Sequence, residues 1–157
     1  SRRMAEGIPV YGGNGIVWYT DNALIENPTV VIGRVGAYCG NVRMVTEAAW
    51  VTDNAIYIKE LKTNDFNLNF LYELMQYMKF NRFADYSGQP KITQKPLGML
   101  NYIVPPINLQ NQFAAFVEQT DKSKFRTQNS LETGRNLWTA FQADGIINMD
   151  YSMQRSR

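Results

Sequence analysis

Apolar residues change their spacing along this chain, and each change marks an element. From residue 8 the pattern is a set of short β-type runs broken by Gly and Asn. Residues 8–11 and 16–19 flank Gly12-Gly13-Asn14-Gly15, residue types that accept positive φ, so a turn between two strands is predicted. Residues 29–35 are largely β-branched and apolar, which predicts a buried strand. Residues 41–46 and 55–59 are two further strand candidates. The links are too short for crossover helices, so a mixed or antiparallel sheet is expected. Residues 1–7 lack this pattern and read as an unstructured lead-in.

The period then lengthens. Phe66, Phe70, Leu71, Leu74, Met75 and Met78 recur at three- and four-residue steps, which predicts a helix over 65–80 with a core-facing stripe. A loop over 84–90 leads to a short helix at 93–100, with Thr93 as N-cap and Pro96 in the first turn. An extended run over 102–104 ends in Pro105-Pro106, which fix φ and remove donors. A long helix is then predicted over 109–138, with Leu109, Phe113, Phe116, Val117, Phe125, Leu131 and Trp138 as its apolar positions. Phe113, Val117 and Leu131 share a face; Phe125 lies off it. The middle, 119–130, is mainly polar, and Gly134 weakens continuity. At a rise of about 1.5 Å per residue the helix would span roughly 45 Å, a length that calls for a partner. The expected class is α+β: a compact, twisted, mixed or antiparallel body over 1–108, a spacer or pairing helix over 109–138, and a tail over 139–157.

Composition narrows the chemistry. The 157 residues suit one domain with a sizeable core, at 45% hydrophobic and 13% aromatic content. Histidine is absent and Cys39 is the sole cysteine, which removes the commonest general base, the commonest zinc ligand and any internal disulfide. A single cysteine fits a reducing compartment, so a cytoplasmic location is expected. No apolar run approaches the ~20 residues of a membrane helix, and SRRMAEG has no signal-type apolar region behind it. The net charge of +2 says little, but its distribution says more. Lys79, Arg82, Lys91 and Lys95 face only Asp85 within 79–95, and Lys122, Lys124, Arg126 and Arg135 face only Glu132 within 122–135. Such patches suit either phosphate contact or a solvated surface.

Several motifs invite chemistry. Gly33, Gly36 and Gly40 punctuate GRVGAYCGN, but no Gly-Lys-Ser/Thr follows, so a twisted hairpin with close backbone passes is expected rather than a nucleotide loop. Arg34, Tyr38, Asn41 and Arg43 around it are candidates for DNA contact, because Arg reads guanine and Asn reads adenine. Lys79, Arg82, Gln89, Lys91, Thr93 and Lys95 are candidates near two helix ends, where cations and free N–H groups meet phosphates, and Asn81 sits with the first two. Asn27-Pro28-Thr29-Val30 is similar to the Asn-Pro-Pro-aromatic loop of amino-methyltransferases but lacks its second proline and its aromatic. Asp53 with Glu60 and Lys62 is similar to a metal-dependent nuclease triad, though the carboxylate spacing is short. No metal site and no catalytic residue is assigned.

Two stretches carry a family resemblance. One is QPKITQKPLGML followed by VPPINLQNQFAAFVEQTDKSK, with Gly88, Ile92, Thr93, Leu97, Pro105, Pro106, Gln110 or Gln112, and Phe113 at the marked positions. The other is PVYGGNGIVWYTD, VVIGRVGAYCGNVRMV and WVTDNAIYI. Together, over residues 8–132, they resemble a target recognition domain in the specificity subunit of type I restriction-modification enzymes. That resemblance implies sequence-specific binding of double-stranded DNA, with the body reading one part of a split target and the helix setting the distance to the other. It implies a non-catalytic chain that works with a modification (methyltransferase) subunit and a restriction subunit. S-adenosylmethionine, ATP and Mg would belong to those partners, with no cofactor in this chain. A full family member carries two such modules, so a second module or a second copy would pair along the long helix. The rival readings are a helical scaffold without sequence preference, and a metal-dependent nuclease.

Overall fold

The computed structural model describes residues 3–61 and 65–143. The chain divides into two units between Ala114 and Ala115. The first contains two three-stranded sheets. In one, β1 (Ile8–Gly12) pairs antiparallel with β2 (Gly15–Thr20) and parallel with the short β5 (Trp50–Val51). In the other, β3 (Thr29–Gly33) lies between β4 (Val42–Val45) and β6 (Ala55–Tyr57), both antiparallel to it. The expected strands thus form, within one or two residues at most ends, as a mixed and an antiparallel sheet. β5 was not expected, because two residues carry no alternation.

β3 organises the body. All five of its residues are buried, which is why it reads as an unbroken apolar run rather than an alternating one. Successive side chains still point to opposite faces. Val30 and Ile32 enter a core with Leu71, Met75, Phe80, Ile92 and Leu97. Val31 enters a second core with Ile25, Val45, Ala49, Val51 and Ala55.

The helical stripe forms α1 (Leu68–Tyr77), three residues shorter than predicted at each end. It starts late because the Asn67 side chain caps it, accepting from the Phe70 N–H at 3.1 Å. Leu71 and Met75, four residues apart, are its buried pair. A 3-10 turn at Phe80–Phe83 follows and sinks Phe80 completely. α2 (Gln94–Gly98) is short; Thr93 occupies its N-cap position, but its hydroxyl makes no capping hydrogen bond, so its expected capping role is positional only. The stretch 102–104 takes no regular structure. The lead-in is partly fastened: Met4 bridges to Tyr19 through N–H···O bonds of 2.8 and 3.4 Å, and the Arg3 guanidinium lies 4.3 Å from the centre of the Trp18 ring system.

α3 (Ile107–Ala143) begins directly after the proline pair, with Pro106 O accepting from Leu109 N–H. Its first two turns belong to the body. Gln110 is fully buried there and all of its amide is used: Oε1 accepts from the Asn67 N–H at 2.9 Å, and Nε2 donates to Asp65 O at 2.6 Å and Pro105 O at 2.7 Å. Phe70 and Phe113 meet edge to face, 5.8 Å apart. The second unit is the remainder of α3, whose helix runs through Gly134 unbroken, against the expected weakening there. No residue from 115 to 136 is buried. The side chain of Trp138 and residues 144–157 of the expected tail lie outside the described residues.

Candidate nucleic-acid interface

Four segments of the body converge on an open hollow of about 790 Å3. β1 and the β1–β2 turn contribute Tyr11 and Asn14. The β3–β4 connection and β4 contribute Asn41 and Arg43. The end of α1 and the residue after its C-cap contribute Gln76 and Lys79, and the 3-10 turn contributes Asn81. Two cations and four carboxamides therefore face one concavity.

Arg43 is held in place. One guanidinium nitrogen donates to Asn14 O at 3.2 Å and to Asn14 Oδ1 at 3.4 Å. The guanidinium occupies space that a side chain at Gly15 would fill: a Cβ there would lie 3.3 Å from Arg43 Cζ, and Gly15 has φ +107°. A guanidinium carries five N–H donors, so most of the fork stays open to a planar acceptor. Burial pushes the pKa of the Tyr11 hydroxyl up, with Glu47 adding to the effect and Arg43 opposing it.

The floor is a close backbone contact. Gly40 has φ +89°, and a Cβ there would come within 2.7 Å of Asn81 Cα. Only glycine lets the β3–β4 connection touch the junction after α1 in this way. Close backbone passes were expected of GRVGAYCGN; the strand irregularity in the body lies instead in β1, between Val10 and Tyr11.

Of the ten predicted contact residues, Asn41, Arg43 and Lys79 share this hollow. Arg34 and Thr93 line a different one of about 450 Å3, where Arg34 donates to Asp53 O at 3.0 Å. Tyr38 is exposed in the turn between β3 and β4. Arg82 stacks over the Phe83 ring at 4.7 Å. Lys91 bridges to Asp85 through backbone and, at 3.7 Å, through its ammonium. The Ser87 N–H bonded to the Asp85 carboxyl lowers its pKa, and Lys91 lowers it further. Gln89 and Lys95 are exposed. Asp53 and Glu60 line different hollows, and Lys62 lies outside the described residues.

Asn14 and Gln76 were missed by sequence reasoning. Asn14 reads as a turn residue and Gln76 as solvated helix surface. Asn81 was noted only beside Lys79 and Arg82 at a helix end. Their convergence depends on contacts between segments distant in sequence. Among the described residues, no helix is long and apolar enough to cross a membrane, and no group of three or more Cys, Asp or Glu side chains is placed to hold a metal ion.

The described chain carries a small α+β body with a polar, cation-bearing hollow, and a helix of 37 residues. Residues 2–133 match the family model described as type I restriction modification DNA specificity domain, and the chain belongs to that family. It is similar to the type I restriction enzyme EcoprrI specificity subunit of Escherichia coli, 29% identical over 150 residues. That match covers 95% of this chain and 36% of the subunit, so the chain spans about a third of its relative's length. Among solved structures, the type I restriction-modification system S subunit from M. genitalium superposes with a TM-score of 0.64 at 23% identity, over 83% of this chain and 36% of that one. A chain from a structure titled for complex assembly and conformational transition of the type I R-M system gives 0.65 at 17% identity, over 90% and 38%. Both share the fold: two small sheets, short helices and a long helix.

Proposed function

We propose that this chain binds duplex DNA sequence-specifically as one recognition module of a type I restriction-modification enzyme, reading one part of a bipartite site. The observation that carries the reading is the convergence of Asn41, Arg43 and Lys79 on one hollow in a chain of the DNA-specificity family. Arg43, already oriented by Asn14, suits a bidentate acceptor such as guanine O6/N7. Lys79, Arg82, Lys91 and Lys95 supply phosphate contacts that set register without reading sequence, and Arg34, Tyr38, Gln89 and Thr93 extend the surface. The chain supplies address rather than reaction. Methylation with S-adenosylmethionine, and ATP-driven cleavage with Mg, belong to the modification and restriction subunits it positions in the cytoplasm. A second module, or a second copy, pairs with the later part of α3, along the polar stretch 119–130. A two-fold pairing of copies would make the target palindromic.

The test is selection from randomised duplex DNA at moderate salt, by the chain alone and with a modification subunit. Two short enriched blocks at a fixed gap establish recognition by paired copies, and one block establishes a single working module. Enrichment only with the partner makes recognition a property of the assembly. Enrichment in neither arm rejects the reading in favour of a helical scaffold.

A further inference from the structure

The hollow has three features that phosphate attraction alone does not require. The first is the backbone of Lys79. Among the described residues it is the one non-glycine position with positive φ, at 51°. It follows the C-cap of α1, where glycine or asparagine is the usual occupant because a larger side chain is strained in the left-handed region. Glycine would hold the same turn with less strain and no charge. A lysine in that conformation at the rim of a hollow fits a residue placed for contact at some cost in local conformational energy.

The second feature follows from that turn. By redirecting the chain after α1, it brings Gln76 from the helix and Asn81 from the 3-10 turn onto one concavity. Both are exposed, and among the described residues neither carboxamide has a hydrogen-bond partner. The third is the floor, where Gly40 lies close against the Asn81 backbone that carries the carboxamide. A carboxamide reading a base must lie in the plane of the base edge, so a rigid mount matters, whereas a phosphate contact tolerates movement.

We propose that Gln76 and Asn81 are specificity-determining residues, each presenting its carboxamide to the major-groove edge of an adenine, while Lys79 between them holds a neighbouring phosphate. Adenine offers an N7 acceptor and an N6 donor there, and a carboxamide offers the matching N–H and carbonyl. The inference rests on the recognition reading above and assigns its base contacts. The plain alternative is two solvated amides and a lysine favoured by the helix dipole, which predicts no effect on sequence preference.

The test repeats the selection with the 157-residue chain and with Gln76→Ala, Asn81→Ala and Lys79→Gly, each also followed by thermal unfolding. Each alanine variant is expected to lose adenine preference at one position, weakening the preferred site roughly 5- to 150-fold while unrelated duplexes bind as before. Lys79→Gly is expected to weaken all duplexes alike, to lower the slope of log K against log salt by about one, and to melt no earlier than the parent chain. Gln76→Glu and Asn81→Asp guard against a variant that fails to fold. Either should move the preference from adenine towards cytosine, because a carboxylate accepts from cytosine N4. Retained adenine preference in the alanine and acidic variants overturns the base assignment and leaves the recognition reading intact. An unchanged salt slope in Lys79→Gly overturns the phosphate role. If the parent chain enriches no sequence, with or without a modification subunit, the recognition reading fails and this assignment with it.

Discussion

Two stretches of α3 obey opposite rules. In its first two turns Gln110 and Ala114 are buried, and one amide side chain satisfies three backbone groups of the body. From 115 to 136 no residue is buried, and the helix is stabilised by local means. Lys122 donates to Glu118 at 2.6 Å, and the hydroxyls of Thr120, Ser123, Thr127 and Ser130 donate back to carbonyls four residues earlier. Exposed pairs of this kind contribute little, because water and salt screen them. Ser and Thr back-bonds satisfy the hydroxyl without strengthening the helix. The difference teaches where α3 is fixed: its first two turns are packed into the body, whereas residues 115–136 bury no side chain. Phe116, Phe125 and Leu131 lie 66%, 64% and 58% exposed along it.

The largest test of this contrast is Phe80→Ala against Phe125→Ala. Phe80 is sealed in the core, so its truncation should cost about 3–5 kcal/mol in urea unfolding. Phe125→Ala should stay within about 0.5 kcal/mol at low protein concentration. A cost for Phe125 that grows with concentration would reveal pairing along the helix. Next in size is Gln110→Leu, which strands the Asn67 N–H and two carbonyls and should cost about 2–4 kcal/mol. Gln110→Glu keeps the acceptor but turns a carboxylate towards those carbonyls, so it should rescue little of the loss. Full rescue would mean that the donor side of the amide matters less than the geometry implies. Smaller still is Gly134→Ala. The position is open on all sides, so the substitution should raise helicity and gain about 1 kcal/mol.

The smallest effect is in acid. The hydrogen bond from Lys122 holds the Glu118 carboxyl below its usual range, and the charge of Lys122 adds to this. A depressed folded-state pKa means that the contribution is present above the unfolded value and is lost as pH falls through the folded one. Helicity followed by circular dichroism should therefore decline slightly below the ordinary glutamate range, and Lys122→Ala should remove that step.

The sequence revealed elements more readily than their meeting points. Val30, Val31 and Ile32 form an unbroken apolar run, and Leu71 and Met75 sit four apart, so a buried strand and a core-facing helix were legible. Arg43, Asn41 and Lys79 were legible as residue types suited to DNA. Gln76 was not singled out as a contact, and Asn81 only beside Lys79 and Arg82, because carboxamides on a helix and a turn look solvated until the fold brings them to one hollow. Gln110 lay within a recognised motif, yet its role was hidden: its three partners come from Asp65, Asn67 and Pro105, and no local pattern announces a buried glutamine. Gly134 misled for a different reason. A propensity cost of about 1 kcal/mol is small against the cooperativity of a long helix.

Cys39 gives the molecule a built-in clock. Its thiol is buried, donates to Arg34 O at 3.3 Å, and has its pKa pushed up by desolvation. Alkylating reagents attack the thiolate, so labelling must wait until the loop carrying Cys39 opens. With no other thiol in the chain, the rate of that labelling times the breathing of the segment that ends in Gly40, at the floor of the hollow. A duplex seated in the hollow should slow this clock, and a duplex held elsewhere should leave it running.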